Sequence, residues 1–303
     1  MDLDYSALCE EFEGRNCAAK LDAPLKNATT FRIGGNAQLL VRPRDEEAVR
    51  YVIRRCYEEE IPCTLLGKGS NVLISDEGVK GVVMILSANF SGVEVRDGTT
   101  LVCLAGTPLA RVCYVAYQHG LTGLEFAWGI PGTVGGAAYM NAGAYGGEMK
   151  DVIRRCEHVT PDGEAGSLEK DDLQLSYRHS AYTDNGCCIT RVVLQLEKGG
   201  RDAIRARMDD LMHRRKTKQP LEYPSAGSTF KRPEGAYASA LIDQCGLKGF
   251  SHNGAQVSEK HAGFVINQNG ATAKDVLELI RIVQEVVLAK TGFSLECEVK
   301  IIK

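Results

Sequence analysis

Two periods alternate along the chain. Between 45 and 57 the apolar positions Ala48, Val49, Val52, Ile53 and Cys56 recur every three or four residues, which predicts an amphipathic helix. A second helix is predicted over 202–216, ending in Arg214-Arg215-Lys216, and a third from Thr272 to about 290, with Thr272 as its cap and Gly292 beyond its end. Thr107-Pro108 opens a fourth, which Gly120 closes after His119. Short apolar or alternating runs predict strands at 38–41, 63–66, 81–86, 189–196 and 93–105, the last turning at Asp97-Gly98 as a hairpin. A terminal strand is predicted over 294–302. Its alternation sends Leu295, Cys297, Val299 and Ile301 to the core and Glu296, Glu298 and Lys300 to the opposite, solvated face. Pro220 to Pro224 reads as a boundary, and no repeat or low-complexity tract appears. The pattern predicts an α+β or mixed α/β chain in two parts that meet somewhere near 200–220.

Composition narrows this reading. The 303 residues are 44% hydrophobic, 25% charged and 7% aromatic, values that exclude a disordered, collagen-like or coiled-coil chain. That length predicts about two domains and a core large enough to enclose a cofactor-sized cleft. The net charge of −3 supplies no broad basic field, so neither nucleic acid nor an anionic membrane is an expected partner. No apolar run reaches the ~18 residues of a membrane span, and the acidic start Met1-Asp2-Leu3-Asp4-Tyr5 lacks the layout of a secretion signal. Eleven cysteines, an odd number with no Cys-x-x-Cys and one adjacent pair (Cys187-Cys188), predict reduced, mostly buried thiols in a cytoplasm. His119, His158 and His213 lack ligand spacing, so no metal site is expected.

Two glycine-rich motifs carry candidate chemistry. In Leu66-Gly67-Lys68-Gly69-Ser70-Asn71-Val72-Leu73 a strand runs into glycines, which lets backbone N–H groups converge on an anion such as a pyrophosphate; a tight strand-to-strand turn explains the same residues. It is neither a Rossmann fingerprint nor a P-loop, because Val72 replaces the third glycine of the first and the spacing fails for the second. From 129 to 147, Pro131, Gly132, Gly135 and Gly136 followed by Ala137, Ala138, Ala142 and Ala144 strip side chains from a long surface, allowing close approach of a flat ligand. Two such stretches in one chain point to a dinucleotide held largely by main chain. Ser228, in Ala226-Gly227-Ser228-Thr229-Phe230-Lys231-Arg232, is either a cap or a group in an anionic-substrate site; no Gly-x-Ser-x-Gly elbow surrounds it or Ser225.

These motifs, together with Thr30-Phe31-Arg32-Ile33-Gly34-Gly35, Asn141-Ala142-Gly143-Ala144-Tyr145-Gly146, Tyr177-Arg178, Lys216-Thr217-Lys218-Gln219-Pro220, Gly254 to Gly263 and Glu298-Val299-Lys300, fall in the order of one family. From about 27 to 302 the chain resembles the UDP-N-acetylenolpyruvoylglucosamine reductases (MurB family), flavoenzymes that make UDP-N-acetylmuramate for bacterial peptidoglycan. The resemblance is to the shorter class, since no room exists between Arg178 and Lys218 for the insertion with a lid tyrosine that the longer class carries. It implies an α+β architecture: an N-terminal segment over 1–26, an FAD-binding domain of the vanillyl-alcohol-oxidase-like (PCMH) type over 27–200 made of two α+β subdomains, and an α+β substrate-binding domain over 201–303.

The resemblance also implies FAD as cofactor, NADPH as hydride donor and UDP-N-acetylglucosamine enolpyruvate as substrate. FAD would be held by Thr30, Arg32, Gly67, Lys68, Gly69, Ser70, Asn71, Val72, Leu73, Pro131, Gly132, Gly135, Gly136, Ala138, Asn141, Gly143 and Ala144. Substrate would meet Tyr145, Tyr177, Arg215, Lys218, Lys231, Arg232 and His261, with Lys218 at the diphosphate; Arg232 and His261 stand where the longer class often has asparagine and glutamine. Ser228 would be the proton donor, and Arg178 and Glu298 would bind and polarise the carboxylate, Glu298 in protonated form. An FAD oxidase of the same fold, acting on a sugar or alcohol, would need a base that this set lacks, and a nucleotide-sugar-binding regulator would not need the set at all.

Overall fold

The computed structural model describes residues 3–303, and the chain divides into two compact units. The first comprises residues up to Leu21, Gln38–Lys68 and Lys80–Arg214; the second comprises Asp22–Ala37, Gly69–Val79 and Arg215–Lys303. The units interleave in sequence, whereas the resemblance implied consecutive segments. Residues 22–37 and 69–79 pack with the C-terminal residues because their apolar side chains Phe31, Ile33 and Leu73 belong to that core. Mixed helices and strands make the class α+β.

In the first unit the central element is a five-stranded antiparallel sheet in the order Ala165–Glu169, Ile153–Val159, Cys188–Gln195, Thr100–Leu104, Val93–Arg96. Its middle strand Cys188–Gln195 is buried at six of its eight positions because both faces are covered, so it shows no in-out alternation. Val93–Arg96 and Thr100–Leu104 form the expected hairpin, with Asp97 and Gly98 both left-handed (φ 49° and 70°), as a primed turn requires. A second sheet has the order Cys17–Pro24, Asn36–Pro43, Val79–Ile85, Cys63–Leu66, the last pair parallel. The helix Glu46–Glu58 buries Ala48, Val49, Val52, Ile53 and Cys56, the stripe its periodicity predicted, and Asp45 caps it through the Ala48 N–H at 2.8 Å.

Some boundaries depart from expectation. The helix after Pro108 starts at Leu109, and Thr107 does not cap it; the Thr107 hydroxyl instead accepts from the Gly92 N–H and donates to the Gly92 carbonyl, each at 2.9 Å. The first twenty-six residues, read only as a segment, hold a helix Tyr5–Glu13 capped by Asp4 and a strand Cys17–Pro24. Of the eleven cysteines, seven are buried, and burial pushes the Cys103, Cys113, Cys156 and Cys188 thiols up to about 12, leaving them poorly reactive.

The second unit carries an antiparallel sheet in the order Ser225–Ser228, Phe264–Asn267, Ala255–Val257, Ser251–His252. Its long helix Ala273–Thr291 begins with the Thr272–Asp275 capping box and ends at left-handed Gly292, and its face Val276, Leu279, Ile280, Val283 and Val287 is buried. The strand expected over 294–302 is a strand only at Lys300–Ile302, paired in parallel with Val72–Ile74; Cys297 makes a single bridge to Phe230. Because 294–299 is not a regular strand, its alternation fails. Glu298 is 8% exposed although expected on the solvated face, and Ile301 is 45% exposed although expected in the core.

Among the described residues, no helix is long and apolar enough to cross a membrane. The N-terminus of the helix Ala273–Thr291 has one further partner: the Asp76 carboxylate accepts the Ala273 and Lys274 N–H groups at 2.8 and 3.1 Å. These are donors that a helix leaves unpaired. Asp76→Ala is therefore expected to lower stability by about 1 kcal/mol, read as a fall in the urea midpoint at unchanged m-value; an unchanged midpoint would show that the capping box alone suffices.

Candidate functional site

The two glycine-rich motifs meet inside the first unit. Thr133 caps the short helix Val134–Tyr139 by accepting the Gly136 N–H at 3.3 Å. A Cβ on Gly67 would lie 2.6 Å from that same Thr133 hydroxyl oxygen, so glycine is the residue that lets the loop after Cys63–Leu66 approach it. Gly135 is closed by Ala105, where a Cβ would come within 2.7 Å of the Ala105 Cβ and 3.0 Å of its carbonyl oxygen. Pro131 and Gly136 are exposed, while Ala138 is buried. The surface beside the motif thus presents Pro131 and the Gly136 backbone rather than bulky side chains.

Further along, Gly143–Ala144 pairs with Gly147–Glu148 across a two-residue turn in which Tyr145 and Gly146 are both left-handed (φ 54° and 89°). Tyr177 and Arg178 form another two-residue turn, closed by mutual N–H to carbonyl bonds between Ser176 and His179 at 3.2 Å. Arg178 has φ 56°, a conformation that costs a non-glycine residue about 1–2 kcal/mol. Its guanidinium lies 5.3 Å from the Tyr177 ring centroid, within cation–π reach. Strain of this kind concentrates at functional sites.

The second unit assembles its own group. The Glu298 N–H donates to the Thr229 carbonyl at 2.8 Å, which puts buried Glu298 on the segment beside half-buried Ser228. Asn71 ties in the glycine motif: its side-chain amide donates to the Glu298 carbonyl at 3.3 Å, and its own carbonyl accepts the Lys300 N–H at 3.0 Å. The Thr30 N–H donates to the Gly69 carbonyl at 3.1 Å, and the Thr30 hydroxyl donates to the Ser225 carbonyl at 2.7 Å. A Cβ on Gly69 would come within 2.3 Å of the Ala28 carbonyl oxygen, so the two segments touch through backbone. Arg32 is exposed and left-handed (φ 55°), between Phe31 and Ile33 in the core.

Residues 37–168 match the family described as FAD binding domain, and residues 219–302 match the one described as UDP-N-acetylenolpyruvoylglucosamine reductase, C-terminal domain. A UDP-N-acetylenolpyruvoylglucosamine reductase of Clostridioides difficile is 47% identical over 93% of this chain and 93% of its own length. One of Clostridium novyi is 49% identical over 92% and 90%. The chain belongs to the UDP-N-acetylenolpyruvoylglucosamine reductase family. A crystal structure of the reductase from Thermus caldophilus superposes with TM-score 0.81 at 37% identity, over 95% of this chain and 99% of that one. A Phl p 4 variant described as a glucose oxidase shares the fold alone, with TM-score 0.50 and 15% identity over 65% of this chain and 44% of its own.

Within this reductase fold the residues fit a flavin dinucleotide: accessible backbone without a side chain at Gly67 and Gly136, and exposed Lys68. Ser70 and Val72 are half-buried, whereas the Leu73 side chain lies in the second core and its backbone runs in the strand paired with Lys300–Ile302. Gly132, Gly143 and Ala144 are half-exposed. Of the anticipated substrate residues, Lys218 and Tyr177 are exposed and Tyr145 half-exposed. Arg215 is buried, with Nη1 donating to Gln219 Oε1 at 3.1 Å. Lys231 is ion-paired with Glu296, and the Arg232 guanidinium lies 4.3 Å from the Tyr237 ring centroid. Burial holds the His261 imidazole below its ordinary pKa, and its Nδ1 accepts the Gly263 N–H at 3.1 Å, so it offers a hydrogen bond rather than a charge.

Arg178 belongs to the first unit and Ser228 and Glu298 to the second. Sequence reasoning missed the links beneath them. Thr133 ahead of Gly136 carried a legible cap signal, whereas Glu148 and Ser176 carried none, since their partners lie in the folded loops. Gly67→Ala would push against the Thr133 hydroxyl and disturb the helix cap. It is expected to weaken FAD retention about tenfold, read from the ratio of flavin to protein absorbance after dialysis; full retention would remove Gly67 from the cradle.

Proposed function

We propose that this chain reduces the enolpyruvyl ether of UDP-N-acetylglucosamine, the substrate that the name of its relatives states for them, to UDP-N-acetylmuramate, with NADPH as hydride donor and in the cytoplasm. The observation that carries the residue assignment is the Glu298 N–H to Thr229 carbonyl bond, which brings a buried carboxyl beside the segment that presents Ser228. Gly67, Lys68, Gly69, Ser70, Asn71 and the 131–144 stretch apart from the side chain of Asn141, which is fully engaged within the protein, with Thr30 and Arg32, would hold FAD. Bound FAD supplies the hydride chemistry, recharged by NADPH. Lys218, Arg215, Lys231, Arg232, Tyr145, Tyr177 and His261 are assigned to the nucleotide-sugar substrate, Lys218 as a point charge for its diphosphate.

The substrate explains the choice of residues. Its alkene accepts hydride at the terminal carbon only because conjugation moves the resulting charge onto the carboxylate. Stabilising that charge is the difficult step. The Arg178 guanidinium binds the carboxylate, and Glu298 helps when protonated, as a donor; an ionised Glu298 would repel the developing charge. Ser228 delivers its hydroxyl proton to the carbon next to the carboxylate, which completes addition across the double bond.

Anaerobic addition of NADPH to the yellow enzyme is expected to bleach it, and the enolpyruvyl ether to restore the colour. In Ser228→Ala the bleaching persists while colour return slows about 10²–10⁴-fold; unchanged return would overturn the assignment of Ser228, and colour that returns only in air would favour the oxidase.

Glu298→Gln keeps a neutral donor, so its colour return is expected to stay well above that of Glu298→Ala, which lacks any donor there and is slow. Near-normal rates in Glu298→Ala would rule the carboxyl out.

A further inference from the structure

Asn141 was assigned to the cofactor, yet its side chain points to other work. It is 1% exposed and left-handed (φ 41°), just after the helix Val134–Tyr139. Its amide nitrogen donates to Glu148 Oε2 at 2.6 Å and to the Ser176 carbonyl at 2.9 Å, and its amide oxygen accepts the Lys150 N–H at 2.9 Å. A carboxylate and a carbonyl can only accept, and a backbone N–H can only donate, so the orientation of the amide follows from its partners. Both amide hydrogens and the oxygen are engaged inside the protein. Asparagine is also one of the few residues that tolerates this backbone conformation.

Ser176 opens the Tyr177-Arg178 turn, and a second tie closes it: the Ser180 hydroxyl donates to the Tyr139 carbonyl at 2.7 Å. The end of the glycine-rich stretch and the strained turn are therefore stitched together on both sides of Arg178. We propose that Asn141, braced by Glu148, is a positioning residue for Arg178, setting the turn so that its guanidinium meets the substrate carboxylate; this rests on the reductase reading above. Bidentate recognition by arginine tolerates little displacement, because a shift of about 1 Å in a positioned group can cost on the order of 10²-fold in rate. Lost bracing would therefore appear in the step that develops charge on the carboxylate, not in the step in which NADPH is consumed.

The test uses FAD-loaded enzyme with Asn141→Ala and Asn141→Asp; the second keeps the shape of the side chain but cannot donate to Ser176 or Glu148. Flavin retention and the rate of bleaching by NADPH are expected to stay within about twofold of the native enzyme, while colour return at saturating enolpyruvyl ether slows about 10- to 100-fold. Substrate affinity, read from the perturbation of the oxidised flavin spectrum, should change less than that rate. The double variant Asn141→Ala with Arg178→Ala should be no slower than Arg178→Ala alone, since a residue acting through Arg178 has nothing left to position. Additive losses, equal loss in both half-reactions, or lost flavin would overturn the proposal, as would native colour return in Asn141→Asp. If Asn141→Ala does not fold, Asn141→Asp decides the matter through the same two half-reactions and its own double variant. Native enzyme that NADPH bleaches but the enolpyruvyl ether cannot restore would overturn the reductase reading itself.

Discussion

The second unit depends on a parallel pairing of two three-residue strands, Val72–Ile74 with Lys300–Ile302, that lie far apart in the sequence. Parallel neighbours cannot be joined by a hairpin, so the whole of the intervening chain serves as the connection. The pairing is reinforced at both ends, by the Lys300 N–H on the Asn71 carbonyl and the Ser75 N–H on the Ile302 carbonyl. Through it the second half of a glycine-rich motif comes to lie beside Glu298, and through the Thr229 carbonyl beside Ser228. Asp76 extends the same junction to the long helix Ala273–Thr291. Leu73 anchors it in the apolar core.

In the first unit the constraint is steric. The loop carrying Gly67 reaches the Thr133 cap because no Cβ intervenes, and the helix carrying Gly135 reaches Ala105 for the same reason. Around these contacts the chain holds Tyr145 and Arg178 in left-handed conformations that neither residue favours. Such backbone persists only where neighbouring contacts over-determine it. The Asn141 amide, with hydrogen bonds to Glu148, Lys150 and Ser176, is one such set of contacts, and the Ser180 hydroxyl is another.

Burial separates two glutamates that sequence placed on one face. Glu296 is exposed and paired with Lys231, so its charge stays solvated and compensated. Glu298 is withdrawn from water, where the ionised form of a carboxyl is disfavoured unless a partner supports it. The proposed reduction calls for a neutral donor, and of the two glutamates Glu298 is the buried one.

Elements whose signals are local were legible in the residues themselves. The stripe of Glu46–Glu58, the Thr272 cap and terminal glycine of Ala273–Thr291 and the Asp97-Gly98 hairpin turn each depend on side chains a few positions apart. The ordered motifs likewise carried the family and the anticipated roles of Ser228, Arg178 and Glu298. What tertiary structure decided is whatever depends on residues far apart in sequence: the assignment of 22–37 and 69–79 to the C-terminal unit, the burial of Glu298 and exposure of Ile301, and the bracing of Arg178's turn by Asn141. Periodicity records which positions avoid water along one element; it carries no information on which distant backbone will satisfy a carbonyl, and that pairing is settled only when the chain closes on itself.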